Sequence, residues 1–444
     1  MMIKEFMQKI NGNFKLNSKM KISILIISLI TVLTVVILSS TKSSFEKAVN
    51  KEISKDTIKN PNQNTDIFSP ITKFSDVKTD YAKIHFDAVV LDSHNDFLYQ
   101  VFARGADLGI RNPKTQSDIP KFREGGINVQ FFAIWIPEEE MDKSYDYVMN
   151  QVNTLKEFEQ KYSDKFEIAS TYDDIKRIVL AKKLCGVPAI EGGTAVEKVD
   201  DIKTFFDLGI RYISLTWNNS NKIGSSAADE SKKKIKGGLT SFGIQVIQKM
   251  NEVGIMIDVS HLGEKSFWDV IKYSKGPIIA SHSDCTALNP HYRNLTDEQI
   301  QAIAKTGGVV MVNFHNDFSK AKIKTNTLYD LYSNALDSLT ELYGGDPLTL
   351  FIEKQKFLYG KKVKGGVSVD AIIDNIDYIK NLVGIDCVGI GSDMDGGINS
   401  PYDVYDVTCY PLITQKLAER GYTEPEIRKV LGLNFLMVFK VVCG

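Results

Sequence analysis

Eight short apolar runs rich in β-branched residues recur along the chain, and each is followed by a longer stretch with helical apolar spacing. The runs are Ala88-Val-Val-Leu91, Val129-Gln-Phe-Phe-Ala-Ile134, Val187-Pro-Ala-Ile190, Tyr212-Ile-Ser-Leu215, Ile255-Met-Ile-Asp-Val259, Pro277-Ile-Ile-Ala280, Val309-Val-Met-Val312 and Cys387-Val-Gly-Ile390. Strands that alternate with crossover helices pair in parallel, so eight of them imply an α/β chain closed into a TIM-type (β/α)8 barrel. An open doubly wound sheet is the architectural rival. Segments 199–208, 243–253, 297–305 and 370–383 carry the three-and-four spacing of the crossover helices. An insertion at 319–366 interrupts the seventh unit; it is expected to be helical over 328–343 and to lie over the barrel mouth as a cap.

The barrel does not account for the first 80 residues. Between Lys21 and Lys42 runs an uncharged segment, 22–41, dominated by Ile, Leu and Val and long enough to cross a bilayer as one helix. Lys4, Lys9, Lys15, Lys19 and Lys21 precede it and favour the cytoplasmic side. The expected organisation is therefore a cytoplasmic basic tail at 1–21, a transmembrane signal anchor at 22–41, a polar stalk at 42–80, and an extracellular barrel at 81–444. A cleaved secretory signal would also export the chain, but no A-x-A-like site follows the apolar run. With 54 basic and 55 acidic residues the net charge is −1, so no global field favours nucleic acid, and a small neutral or zwitterionic ligand is expected instead. Cys185, Cys285, Cys387, Cys409 and Cys443 form no C-x-x-C pair, which excludes a zinc ribbon or a thioredoxin-like site.

Barrels of this class place their chemistry at the carboxyl ends of the strands. Five of the runs end in polar groups: Leu91-Asp-Ser-His94-Asn-Asp96, Ala189-Ile-Glu191, Asp258-Val-Ser-His261, Ala280-Ser-His282 and Gly391-Ser-Asp393-Met-Asp395. The chain has only six histidines, and three of them fall at these ends. Side chains two apart on a strand face the same way, so His94 and Asp96 can meet on one cation, with Glu191, His261 and His282 approaching from other strands. Imidazole with carboxylate suits zinc. Five donors exceed what one catalytic zinc commonly takes, which points to two zinc ions sharing a water. Each feature alone has a duller explanation: a hydrogen-bonded His-Asp pair, a helix-capping Glu191, an Asp393 that shapes a turn. Together they would be costly in a barrel mouth without partners. His85 reads as a surface residue, and His291 and His315 as loop positions. No Walker loop, dinucleotide fingerprint or H-E-x-x-H occurs.

Asp92-Ser-His94-Asn-Asp96, Glu191-Gly-Gly193, Asp258-Val-Ser-His261, Ser281-His282-Ser283, Arg293-Asn294, Val312-Asn-Phe314 and Gly391-Ser-Asp393-Met-Asp395-Gly396 together resemble, in order, the motif series of the membrane (renal) dipeptidases. The resemblance implies a barrel with two zinc ions, His94 and Asp96 on one, His261 and His282 on the other, and Glu191 bridging them. It also implies a dipeptide substrate whose free carboxylate is held by Arg293, proton transfer to the leaving amine by Asp393, and a homodimer. Trp217 departs from the pattern, because family members carry a His after the Leu-Thr pair that contacts the developing oxyanion. Trp217 and Asn218 are expected to face the substrate. Indole cannot shuttle a proton, which leaves two other readings open: a related amidohydrolase acting on a lactam or other small amide or ester, and a metal-binding barrel with weakened turnover.

Overall fold

Each of the eight runs becomes a parallel strand in a computed structural model that describes residues 80–444 apart from positions 234, 236, 321, 323 and 359. The strands are β1 (Val90–Asn95), β2 (Ile127–Trp135), β3 (Phe166–Ile168), β4 (Leu184–Glu191), β5 (Tyr212–Ser214), β6 (Met256–Asp258), β7 (Ile278–Ala280), β8 (Val309–Val312) and β9 (Val388–Ile390). They are hydrogen-bonded in the order β1-β2-β4-β5-β6-β7-β8-β9, with β3 paired to β4 off this path. β3 has no counterpart among the runs read from sequence, since three residues are too few to display a period. Past the ends of β9 and β1, Asn95 bridges to Met394 in parallel. The Asp96 amide donates to the Met394 carbonyl at 2.9 Å and the Asp393 amide to the His94 carbonyl at 3.1 Å. The sheet thus comes close to closing, and it does so beside the polar strand ends of β1 and β9.

Crossover helices appear where the spacing places them, at Asp201–Asp207, Ser241–Val253, Asp297–Lys305 and Asp370–Val383. Local chemistry sets their ends. Thr296 and Gln299 form a reciprocal capping box at one, and Thr240 caps another that stops at left-handed Gly254. The insertion holds the helices Leu328–Tyr343 and Pro347–Leu358. Its anchoring contacts are spread over several elements: Phe351 meets Tyr81 edge-on at 6.2 Å, Lys354 pairs with buried Glu124, and the Leu328 amide donates to Tyr402, in the loop after β9, at 2.7 Å. None of these contacts reaches the candidate metal ligands.

Among the described residues no helix is long and apolar enough to cross a membrane. The expected tail, span and stalk lie outside the described residues, except for Asp80, which begins the helix Asp80–Asp87. His85, on that helix, is not at the surface: it is fully buried between the Thr414 hydroxyl at 2.7 Å and the Gly125 carbonyl at 2.8 Å. Burial pushes its pKa down to about 4, so it sits there as a neutral hydrogen-bonding strut. All five cysteines are free thiols.

The barrel interior is filled by inward residues such as Leu91, Val129, Phe131, Val187, Met256 and Met311, and it is closed by the C-terminal helix Asn434–Cys443. Phe435 and Phe439 of that helix meet Phe131 edge-on, at 4.9 and 5.9 Å. Phe439→Ala should therefore cost about 3–5 kcal/mol, whereas Met437→Ala on the exposed face should stay within about 0.5 kcal/mol. Urea unfolding midpoints of the two variants measure the difference; equal losses would mean the helix does not plug the barrel.

Candidate metal centre

Five of the strand ends deliver their polar residues to one place. His94 comes from β1 and Asp96 from the residue after it; Glu191 ends β4; His261, His282 and Asp393 follow β6, β7 and β9. The imidazole Nε2 of His94 lies 3.6 Å from Glu191 and 3.7 Å from Asp96. His261 Nε2 lies 2.8 Å from Glu191 Oε1, and His282 Nε2 lies 3.3 Å from the same oxygen. Three sets of donor atoms each fall within 4.8 Å of one another: His94, Asp96 and Glu191; Glu191, His261 and His282; and His94, His282 and Asp393. Glu191 belongs to two of these sets, and its Oε2 faces His94 while its Oε1 faces the other two rings.

Hydrogen bonds on the far side of each ring decide which nitrogen carries a lone pair. His94 Nδ1 lies 2.8 Å from the Tyr212 hydroxyl, whose proton goes to the Ser93 carbonyl at 3.0 Å. His94 must then donate from Nδ1, and its Nε2 is left as a buried atom with no hydrogen-bond partner. Ser281 gives its proton to Asp258 at 2.6 Å, so it accepts from His282 Nδ1 at 2.8 Å. The Asn218 side-chain carbonyl accepts from His261 Nδ1 at 3.2 Å. All three rings thus direct Nε2 atoms inward, and those of His261 and His282 are only 3.0 Å apart. Two lone pairs at that separation repel unless a cation lies between or beside them. This donor set fits zinc, and the outer hydrogen bonds are those that orient a metal-bound imidazole.

The electrostatics agree. Burial and the nearby Arg293 cation lower His261 to about 4, and burial together with His94 holds His282 well below the usual range. Burial disfavours charge on His94 too, but Glu191, Asp96 and Asp393 outweigh it and raise the group to about 10. That surplus of carboxylate is the field that would stabilise a metal cation. Asp393 is raised to about 6 by burial, and Asn313 Nδ2 donates to its Oδ2 at 3.0 Å.

Two positions of the cluster depend on left-handed backbone: His261 has φ 65° and Asp393 φ 62°. The His261 carbonyl is pinned there by the Ala227 amide at 2.9 Å and by the Thr216 hydroxyl at 3.1 Å. Gly396 passes so close that a Cβ would stand 2.5 Å from Asp96 Oδ2 and 2.7 Å from Asp393 Oδ1, so a larger residue would push both carboxylates aside. Arg293 is buried; one Nη donates to the His282 carbonyl at 3.3 Å and its Nε has no partner among the described residues. The Phe318 ring lies 5.4 Å from its guanidinium, flanked by His291 and His315. Trp217 is half-buried, its ring 6.3 Å from that of His261. Asn218 is engaged in holding His261 and also accepts from Ser226 through its carbonyl at 2.9 Å.

Sequence reasoning gave no role to the residues beneath the rim. Asp92 accepts from Ser392 Oγ at 2.6 Å and the Ser392 amide at 2.9 Å, joining β1 to β9. Asp258 accepts from the Ser281 amide at 2.8 Å and from Ser214, joining β5, β6 and β7. Asp284 accepts from the Asn313 amide at 3.0 Å and from Ser319 at 2.9 Å. A signal was present, since Asp92 and Asp258 stand just before His94 and His261, but their partners are remote in sequence. Removing a tautomer lock should loosen the metal: Ser281→Ala and Tyr212→Phe are each expected to weaken zinc binding by about 10–100-fold. Competition against a chromophoric chelator reads this directly, and unchanged affinity in both would contradict the assignment of Nε2 as the ligand atom.

A family model described as membrane dipeptidase, peptidase family M19, matches residues 79–443. Curated relatives include Dipeptidase verJ of Clonostachys rogersoniana, 25% identical over 395 residues that cover 85% of this chain and 90% of the relative. A protein of Schizosaccharomyces pombe described as an uncharacterized dipeptidase is 28% identical over 378 residues, 80% of each chain. Among solved structures, the metallopeptidase dipeptidase AC of family M19 superposes with a TM-score of 0.67 at 24% identity, covering 80% of this chain and 99% of that one. A metallopeptidase from Rhodobacter sphaeroides, liganded with a phosphinate mimic of L-Ala-D-Ala, gives a TM-score of 0.66 at 23% identity, with 80% and 99% covered. The latter two likenesses concern the fold, a parallel (β/α)8 barrel. With nearly all the described residues inside the matched span and the donor cluster at the barrel rim, the chain belongs to the membrane dipeptidases, peptidase family M19, metal-dependent hydrolases of peptide bonds.

Proposed function

We propose that this protein is a zinc-dependent dipeptidase that uses two metal ions and requires a free carboxylate at the C-terminus of its substrate. The observation that carries the reading is the convergence of three imidazole nitrogens on the two oxygens of Glu191. His94 and Asp96 would hold one ion, His261 and His282 the other, and Glu191 both. Zinc bound there supplies a water of lowered pKa and polarises the scissile carbonyl.

The chain's own groups do the rest. Arg293 is a buried cation with an unsatisfied Nε–H, and a substrate carboxylate would meet it as a bidentate partner beside the metal ligands. Asp393, raised toward neutrality by burial and steadied by Asn313, is suited to take a proton and return it to the departing amine. Trp217 stands where family members place an oxyanion-contacting His; an indole N–H can donate to that oxygen but not relay a proton. We further propose that residues 22–41 anchor the chain, with the barrel outside the cell, and that it works as a homodimer, as the family resemblance implies.

The purified full-length chain should bind close to two zinc ions and release amino acids from dipeptides. His261→Ala should abolish turnover. C-terminal amidation of the substrate should reduce kcat/KM by about 100-fold or more, as expected when a buried charged partner is left unpaired. Amidated and free dipeptides cleaved equally well would remove Arg293 from carboxylate binding and favour the alternative of a hydrolase for lactams or other small amides and esters.

A further inference from the structure

Beyond the metal ligands, a row of aromatic rings continues along the barrel mouth. Trp217, in the loop after β5, meets Trp135 at the end of β2 with ring centroids 5.1 Å apart at 62°. Trp135 in turn meets Tyr99, three residues past Asp96, at 4.9 Å and 82°. All three residues are half-buried. The row ends at exposed Phe102, 6.4 Å from Tyr99. Trp217 is seated by a glycine: Gly192 has φ 87°, and a Cβ there would stand 3.2 Å from the Trp217 Cβ.

The order of groups across the mouth gives this wall a direction. Arg293 touches the His282 carbonyl. The His282 ring is 5.1 Å from that of His261, and His261 is 6.3 Å from Trp217, with Trp135 and Tyr99 following. A dipeptide spans two residues at about 3.3–3.6 Å each. With its carboxylate on Arg293 and its peptide bond at the ligand cluster, only its amino-terminal residue reaches Trp217. On the other side, the Phe318 ring lies over the Arg293 guanidinium between two imidazoles. That ring is half-buried like the others, but it is engaged by the guanidinium it covers.

We propose that Tyr99, Trp135 and Trp217 form the seat for the side chain of the substrate's amino-terminal residue and select dipeptides with a large aromatic group at that position. The inference rests on the dipeptidase reading and deepens it. Two mutually edge-on ring pairs present faces and edges to a third ring, the geometry aromatic groups prefer. It also gives Trp217 a part in choosing the substrate as well as any part in donating to the oxyanion.

The test is kcat/KM of the zinc-loaded full-length enzyme for Phe-Gly, Gly-Gly and Gly-Phe; glycine at the other position keeps stereochemistry out of the comparison. Phe-Gly is expected to exceed Gly-Gly by about 10-fold or more, the effect of burying one such side chain. Trp135→Ala and Trp217→Ala should each reduce that ratio several-fold, mainly through KM, while Trp135→Phe should preserve most of it. The wild-type comparison stands even where a variant fails to fold. Phe-Gly no better than Gly-Gly, or Gly-Phe as the best of the three, would overturn the aromatic seat and leave the dipeptidase reading intact. Failure to cleave any of the three would overturn both.

Discussion

Three imidazoles converging on the carboxylates of Glu191 and Asp96 form the arrangement around which the rest of this molecule is organised. Such a cluster opposes folding unless a cation joins it, and its positions cannot be reached by any one segment. The barrel meets that demand because parallel strands bring five remote parts of the chain to one rim with the same polarity. Glu191 is central because it faces both halves of the cluster, and so couples whatever occupies them.

Holding the rim together falls to a belt of buried serines and aspartates. Asp92, Asp258 and Asp284 each accept hydrogen bonds from neighbouring strand ends, and through Ser281 one of them fixes the tautomer of a ligand. A buried carboxyl group with several hydrogen-bond partners is tolerable in a dry interior, where an unsatisfied one is not. The left-handed backbone at His261 and Asp393 is held by the same network and by the close pass of Gly396. At the opposite end the C-terminal helix fills the barrel with Phe435 and Phe439, so one end is packed and dry while the other is left open for chemistry.

Within a family defined by its metal site, variation is free to act on the wall around it. Here a row of rings reaches from His261 through Trp217 and Trp135 toward the surface. Neither indole is among the candidate metal donors.

The periodicities of this chain already spelled out eight strands, the four crossover helices and the helix at Leu328–Tyr343, because apolar spacing is a local property and each element buries its own face. The same holds for His94, Asp96, Glu191, His261, His282 and Asp393, since the end of a strand in a parallel barrel is a position that can be read in advance. Tertiary structure alone decided that β3 joins the sheet, that His85 is buried between Thr414 and Gly125, and that Lys354 of the insertion pairs with Glu124. It also decided that Asp258 and Tyr212 set which nitrogen of each imidazole points inward. Those outcomes depend on partners tens to hundreds of residues away, and a hydrogen bond between remote groups leaves no trace in the spacing of either one.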